Sequence, residues 1–421
     1  MEMGRIRPPH TLASISGWMG AALLAGIILH SLAPDSAVSM TALSFIAAFS
    51  VLFALFFGRR MLWLRVVALC VLAAAIGVWR FEVARPSMPR GLAPFTASGL
   101  AYSSNGSDTT DSPFSRSRQV ITATAQRLFP PDEAGLLTGV LYGERLLPQE
   151  VKNQFRRAGL MHIIAVSGSN VTIVVVMVMA ALSAFHLSRR RSFIAITIAL
   201  VAFVLFVGPT ASVIRAAIMG WLIEFAPLVG RVPRPSRLLL VSAVVFSFWH
   251  PWSLLFDASF ALSFLAMWGL LTFSRAFSER LQKRITNNFV RETVAMSLGA
   301  TMMTLPYSAW AFGQLTVWSV VTSLAALPLV SWITVTGILA LALPFVPYIA
   351  LPARGFLQIL LWIGRWPDAI PVGVWTNLST PFSWMIAVYF IWFVIWRELQ
   401  RKKRVIHSSV AIPEEKRADL T

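Results

Sequence analysis

Acidic residues are scarce in this chain: 18 Asp and Glu stand against 36 Lys and Arg in 421 residues, for a formal net charge of +18. Charge of either sign is itself sparse, at 13% of residues, which excludes an ordinary soluble domain with a solvated charged surface. Cysteine is almost absent. Cys70 is alone within an apolar run, so there is no intrachain disulfide framework and no cysteine metal site, and its expected role is packing. Histidine is nearly as rare, with six in all, and no second His or acidic cluster stands at ligand spacing from His162. No metal site and no cofactor are therefore expected. The chain also lacks a glycine-rich phosphate-cradling loop with its Lys, which argues against an ATPase in the chain.

What the chain has instead is apolar length. Hydrophobic residues make up 57% of it, with 16 Trp and 29 Phe. A membrane span needs roughly 20 mostly apolar residues. Such stretches lie near 12–33, 38–57, 61–79, 163–186, 192–208, 210–227, 237–256, 258–274, 293–312, 316–343, 346–364 and 381–396. The expected fold class is an all-α polytopic integral membrane protein of about 10–12 membrane segments, some broken or re-entrant. The first span follows a basic stretch but has no small-residue cleavage site, so a removable signal peptide is not expected.

Arg and Lys collect at Arg5 and Arg7, Arg59 and Arg60, Arg189 to Arg191, Arg231 with Arg234 and Arg237, and Arg397 to Arg404. By the positive-inside rule these loops and both tails face the cytoplasm. Residues 1–79 then hold the N-terminal membrane helices, and residues 80–131 form an extracytoplasmic linker rich in Pro, Gly, Ser, Asn and Asp. Residues 132–396 form the main membrane domain, and 397–421 a basic cytoplasmic tail. Gly208-Pro209 divides the apolar stretch between Arg191 and Arg231 into two spans.

The positive charge has a plain explanation in orientation and anionic lipid headgroups. The segment 275–292, RAFSERLQKRITNNFVRE, reads as a basic amphipathic stretch on the cytoplasmic membrane surface, with DNA docking as the alternative. More informative is the segment 135–177, GLLTGVLYGERLLPQEVKNQFRRAGLMHIIAVSGSNVTIVVVM. It crowds the Glu144-Arg145 turn, the pair Arg156 and Arg157, His162 and the run Ser167, Gly168, Ser169, Asn170 against an apolar span. A Gly/Ser/Asn interruption at membrane depth is tolerated where protein or a water-filled cavity surrounds it. The Arg pair and His162 read either as interfacial, snorkelling groups or as a basic mouth that collects phosphate.

Charges inside apolar spans are costly and face a partner or a cavity. Arg215 lies in PTASVIRAAIMGWL with Ala211 and Met219 one turn to either side and Ser212 on its face. It reads as one half of a structural ion pair or as part of a pathway. Asp257 is the candidate carboxylate for it, followed by Ser259 and Ser263 on one helical face. The alternative for Asp257 is a helix cap.

Four segments in order resemble the competence domain of the ComEC family over about residues 132–396. LLTGVLYGER with FRRAGLMHIIAVSGSNV resembles the family's G-(D/E)-R turn and its F-x-x-x-G-x-x-H-x-x-(A/V)-(V/I)-S-G signature. GPTASVIRAAIM is similar to its R-A-x-x-M helix, PWSLLFDASFALSFLAMWGL to its D-x-x-F-x-L-S-F segment, and LPYSAWAFGQLTVWSVVTSLAALPLV to its later proline stretch. Two positions depart: Asn170 stands where many relatives carry His, and Ser323 where an Asn often precedes the later Pro. Both stay polar. Residues 80–118 are too few for the external oligonucleotide-binding-type domain of larger relatives. No H-x-H-x-D-H run marks a metallo-β-lactamase-like domain, so no enzymatic cutting of DNA is expected.

The resemblance implies a channel for single-stranded DNA in the bacterial cytoplasmic (inner) membrane, working in natural transformation. It implies as partners a membrane DNA receptor, a cytoplasmic helicase-like motor and a separate nuclease, with the lipid bilayer around it and homo-oligomerisation open. In that reading Arg156, Arg157 and His162 form the entry, Ser167, Gly168, Ser169 and Asn170 line a broken segment, Arg215 and Asp257 shape or gate the interior, and Glu144, Arg145, Ser259 and Ser263 are further candidates for the DNA path. The alternatives are a secondary transporter of a small anionic or lipid-like solute and a non-transporting remnant of the family.

Overall fold

The computed structural model describes residues 12–32, 43–44, 46–51, 62–84, 114–144, 146–164, 168–183, 188–208, 210–251, 253–369, 373–375 and 378–410. The linker between 85 and 113, the basic clusters at Arg5, Arg7, Arg59 and Arg60, and the residues Arg145, Ser167 and Pro209 lie outside the described residues.

The chain is a succession of helices. In order they are α1 (Leu12–Leu32), α2 (Leu62–Ala84), α3 (Ser115–Leu128), α4 (Pro131–Tyr142), α5 (Gln149–Arg157), α6 (Met161–Ile164), α7 (Gly168–Ser183), α8 (Arg189–Val207) and α9 (Ala211–Phe225). There follow α10 (Pro235–Trp249), α11 (Ser253–Phe256), α12 (Ala258–Leu281), α13 (Asn288–Phe312), α14 (Trp318–Ala342), α15 (Ala350–Gly364), α16 (Trp366–Ala369) and α17 (Phe382–Val410). Strands β1 (Leu315–Thr316) and β2 (Val374–Trp375) pair antiparallel, with Leu315 opposite Trp375. The fold is all-α and polytopic, as the apolar stretches predict. Five helices are long and apolar enough to cross a membrane, and four shorter apolar helices accompany them among the described residues.

Their outer faces explain the composition. Ile194, Ile198 and Val201 on α8 are 57%, 64% and 53% exposed, and Phe390 on α17 is 66% exposed. Water would not tolerate continuous apolar faces of this kind; hydrocarbon covers them at no cost.

The chain divides into two compact units. The first comprises residues 1–264 and 325–371, the second residues 265–324 and 372–421, with the boundaries inside α12 and α14. In the first unit α1 and α2 pack through small residues: a Cβ on Gly26 would collide with the Ala74 carbonyl, and one on Gly77 with the Leu23 carbonyl. This close approach is the membrane solution, in which packing and not hydrophobic exclusion holds helices together. Elsewhere in that unit Leu136, Leu137, Phe155, Leu160, Ile333, Leu357 and Leu360 are each fully buried in one core.

That core contains a helix shorter than any span. Helix α4 has 12 residues, and every side chain from Glu133 to Val140 is buried. Twelve residues rise only about 18 Å, well short of a hydrocarbon layer of about 30 Å. A short helix enclosed on all sides is the interior counterpart of a lipid-facing span.

In the second unit the latter half of α12 crosses α13 at Gly269 and Gly299. Tyr389 of α17 donates its hydroxyl to the Met303 carbonyl at 2.8 Å, one turn before Pro306 inside α13. The segment 275–292 is not a surface amphipathic helix. Arg275 to Leu281 complete α12, a turn follows at 282–284, and α13 begins at Asn288 with Asn287 capping it through Val290 N at 3.2 Å. The basic residues there close a helical hairpin, whose ends Ser278 and Glu292 join at 2.6 Å.

Gly269→Ala should lower stability by about 1–3 kcal/mol, because the added methyl meets the Gly299 carbonyl and neither helix can withdraw from it. Gly355→Ala is its control: a Cβ there meets nothing, and helix propensity should add about 0.5–1 kcal/mol. Thermal unfolding of the two purified variants in one detergent measures both.

Candidate functional site

Arg215 lies in α9 and is 7% exposed. Its Nε donates to Ser263 Oγ at 2.6 Å, its Nη1 lies 3.8 Å from Met219 Sδ, and its guanidinium sits 5.8 Å from the Phe264 ring centroid. None of these partners carries negative charge. The expected carboxylate is occupied elsewhere: Asp257 Oδ1 accepts from Ser259 N at 2.8 Å and Phe260 N at 3.3 Å. Asp257 is therefore the N-cap of α12, where a side-chain oxygen satisfies free N–H groups and favours the helix dipole. Of the two readings of Asp257, the cap holds, and no Asp257–Arg215 ion pair is present among the described residues. The helix that Asp257 starts still serves Arg215, because it delivers Ser263 and Phe264 to the guanidinium.

The remaining candidates divide differently. Glu144 follows Gly143, whose φ of 77° ends α4, and is half-buried. Arg156 donates to Asn153 Oδ1 of its own helix at 3.1 Å. Arg157 pairs with Asp368 at 3.1 Å, with side chains 44% and 31% exposed, so this contact contributes little to stability. His162 is exposed, and its Nδ1 lies 3.0 Å from the Gly159 carbonyl. Since a carbonyl only accepts, Nδ1 carries the proton and Nε2 is left for another partner. Gly168, Ser169 and Asn170 form the first turn of α7 and not an unwound stretch. Small polar residues suit a first turn, whose N–H groups have no intrahelical acceptor.

Several polar contacts lie outside the residues that the sequence motifs single out. His30 Nε2 meets Glu82 Oε1 at 2.6 Å between α1 and α2. Glu133 of α4, 5% exposed, holds Arg354 Nε at 3.3 Å and accepts from Gln358 Nε2 at 3.1 Å, both from α15. Arg80 of α2 donates to the Trp249 carbonyl at 3.1 Å and lies over the Phe248 ring at the end of α10. Arg118 of α3 is 5% exposed and donates its Nε to the Phe206 carbonyl at 2.6 Å. The helical spacing of Arg118, Ile121, Thr122 and Ala125 marks the inner face of α3, a sign available in the sequence once its 3.6-residue period is followed.

His250, which follows α10, feels the charges of both Arg80 and Asp257. Desolvation of its covered side, then the Arg80 charge, lower the imidazole pKa from its ordinary value, against the opposite pull of Asp257.

A multi-helix bundle with lipid-length apolar helices and a deeply buried cation, answered by a hydroxyl, a thioether and a ring, defines a polytopic membrane protein. A family model described as Competence protein matches residues 140–402, well over half of the chain, and the chain belongs to that family. ComE operon protein 3 of Bacillus subtilis (strain 168) is 26% identical over 224 residues, which cover 53% of this chain and 28% of that relative. The aligned region is thus little more than a quarter of the relative's length. No solved structure gives a significant match.

Asp257→Ala should cost about 1 kcal/mol through loss of the α12 cap. Exchanging Arg215 and Asp257 should rescue neither single change; recovery of stability in the exchange variant would contradict the separation of the two groups seen here. His250 adds a pH dependence. Because its folded pKa is lowered, its contribution is present above about pH 6.5 and is lost as the pH falls through the folded value, where the unfolded chain binds the proton more readily. His250→Gln should flatten the fall in unfolding temperature between about pH 7 and pH 5.

Proposed function

We propose that the chain conducts single-stranded DNA across the bacterial cytoplasmic membrane into the cell during natural transformation. The observation that carries this reading is Arg215. A buried guanidinium without an acidic partner is costly, and Ser263, Met219 and Phe264 solvate its charge without cancelling it. A passing phosphodiester would cancel it. Conduction of DNA needs no reading of bases, only a polar and preferably basic lining that exchanges water for protein contacts.

Orientation supports the same direction of travel. With the Arg clusters at 189–191 and 231–237 on the cytoplasmic side, α8 and α10 end outside at Gly208 and His250. The rule applied separately to Arg59 and Arg60 sends the end of α2 outside as well, and Arg80 there does contact Trp249 at the end of α10. Both termini are then cytoplasmic, and Arg156, Arg157 and His162 face the incoming strand.

The chain acts as the passive conduit. Its sequence offers no nucleotide-binding loop, so energy comes from a cytoplasmic helicase-like motor. A membrane DNA receptor hands over the strand, and a separate nuclease removes its complement.

Deletion of the gene in a competent host is expected to abolish transformation; unchanged frequency would sink the assignment. In liposomes, purified protein should admit fluorescent oligothymidylate, and Arg215→Glu with an unchanged unfolding transition should reduce admission about tenfold or more. Passage of small anions by a folded protein that excludes oligonucleotides would instead identify a transporter of a small anionic solute.

A further inference from the structure

Helix α9 opens without a side-chain cap. Thr210 occupies the capping position in extended backbone, and its hydroxyl accepts nothing from the helix. The first helical hydrogen bond runs from Ile214 N to the Thr210 carbonyl at 2.9 Å, which leaves the N–H groups of the first turn without an intrahelical acceptor. An uncapped helix start favours an anion.

Arg118 supplies an independent observation at the same place. Its Nε donates to the Phe206 carbonyl near the end of α8, and its guanidinium lies 5.8 Å from the centroid of the Phe206 ring. Those contacts anchor one edge and one face. Nη2 is buried and has no hydrogen-bond partner among the described residues. It is 4.0 Å from the point that a Cβ on Gly208 would occupy, and Gly208, at φ +105°, turns the chain out of α8 two residues before the α9 cap position. The free donor is thus directed at the turn from which α9 starts.

The Tyr142 hydroxyl, whose charge state Arg118 influences, is bonded instead to Thr122 Oγ1 at 2.7 Å. An unsatisfied guanidinium N–H in a buried position costs more than a neutral donor would. Leaving it so is reasonable only where an acceptor arrives from elsewhere. The chemistry required is several acceptor oxygens on one centre, reachable at once by a rigid planar donor and by backbone N–H groups that converge from a helix end.

We propose that Arg118 Nη2 and the uncapped first turn of α9 bind a phosphate group at the α8–α9 turn. The group is a phosphodiester, and the backbone of single-stranded DNA and the headgroup of an anionic phospholipid offer the same chemistry. Assigning it to DNA rests on the conduit reading above; the site itself does not.

The full chain in phosphatidylcholine nanodiscs tests it with two probes: a short fluorescent oligothymidylate followed by anisotropy, and phosphatidylglycerol retention followed by native mass spectrometry. Arg118→Gln should weaken one of them about tenfold or more, and Arg118→Lys, which keeps charge but not the fork, should lose less. Loss confined to oligothymidylate identifies a DNA-phosphate site. Loss confined to phosphatidylglycerol identifies a lipid site, which upholds the phosphate site and withdraws it from the DNA path. Unchanged binding of both probes by a variant with a native unfolding transition overturns the site. Should Arg118→Gln fail to fold, phenylglyoxal modification of Arg118 in the native protein decides instead. Slower modification with oligothymidylate, phosphatidylglycerol or inorganic pyrophosphate supports the site, and equal rates with all three overturn it. Transformation of the deletion strain is scored separately, so the conduit reading and the phosphate site fail by different results.

Discussion

Hydrocarbon provides no partner for a peptide N–H or C=O, and the rest of this structure depends on that constraint. It makes nearly every described element a helix, and it decides which helices face lipid. Long, proline-free α8 and α12 satisfy their own backbones within each helix and carry exposed apolar faces. Short or broken pieces cannot sit there. Helix α4, with its buried run from Glu133 to Val140, is enclosed by protein, and the chain reversal at Gly143 and Glu144 is tied back to Thr138 and Gly139 carbonyls. The two short strands also pair with each other instead of presenting bare edges.

Charge within the bundle follows a second rule, with two outcomes. Some ionisable groups are answered by opposite charge, an imidazole or an amide: Glu133 by Arg354 and Gln358, Glu82 by His30, Arg157 by Asp368. The first two join helices in the interior, while the exposed Arg157–Asp368 pair adds little. Arg215 and Arg118 are answered differently, by Ser263 and Phe264 in one case and by the Phe206 carbonyl and ring in the other. Hydroxyl, carbonyl and π-face stabilise a cation without neutralising it. The difference separates side chains that join elements from side chains that leave positive potential inside the bundle.

Much of this was legible from hydropathy. The apolar stretches at 192–208, 293–312 and 316–343 correspond to α8, α13 and α14, and the Gly208-Pro209 break falls between α8 and α9 as its residues demand. The motifs named the family. What hydropathy could not give was partnership. Asp257 and Arg215 looked complementary because opposite charges in apolar sequence suggest a pair, yet a carboxylate at a helix start finds its N–H groups two and three residues away, a local solution that requires no folding of distant chain. The segment 275–292 looked amphipathic because a helical hairpin puts charge at the ends of two apolar helices, and a window spanning the turn averages the two. Arg118 escaped notice because its surroundings, SRSRQ, read as solvated; only the packing of α3 against Phe206 and Tyr142 buries it.

On the proposed conduit reading, two arginines with no acidic partner among the described residues suit conduction better than tight binding would. A pathway must bind its passenger well enough to draw it from water and weakly enough to release it. A glycine-rich loop with a lysine would hold phosphate through many donors at once. Arg215 and Arg118 each present one guanidinium already partly spent on a neutral neighbour, so each can trade contacts with an arriving phosphate at small net gain. In that reading a polyanion with a charge on every nucleotide would draw only a modest share of its binding from either position, and so would find no deep well in which to stop. Carboxylates at these positions would repel the strand, and unshielded arginines would trap it. Cations dampened by hydroxyl, carbonyl and aromatic contacts lie between those limits, which is why the identity of their neutral neighbours matters as much as the charge itself.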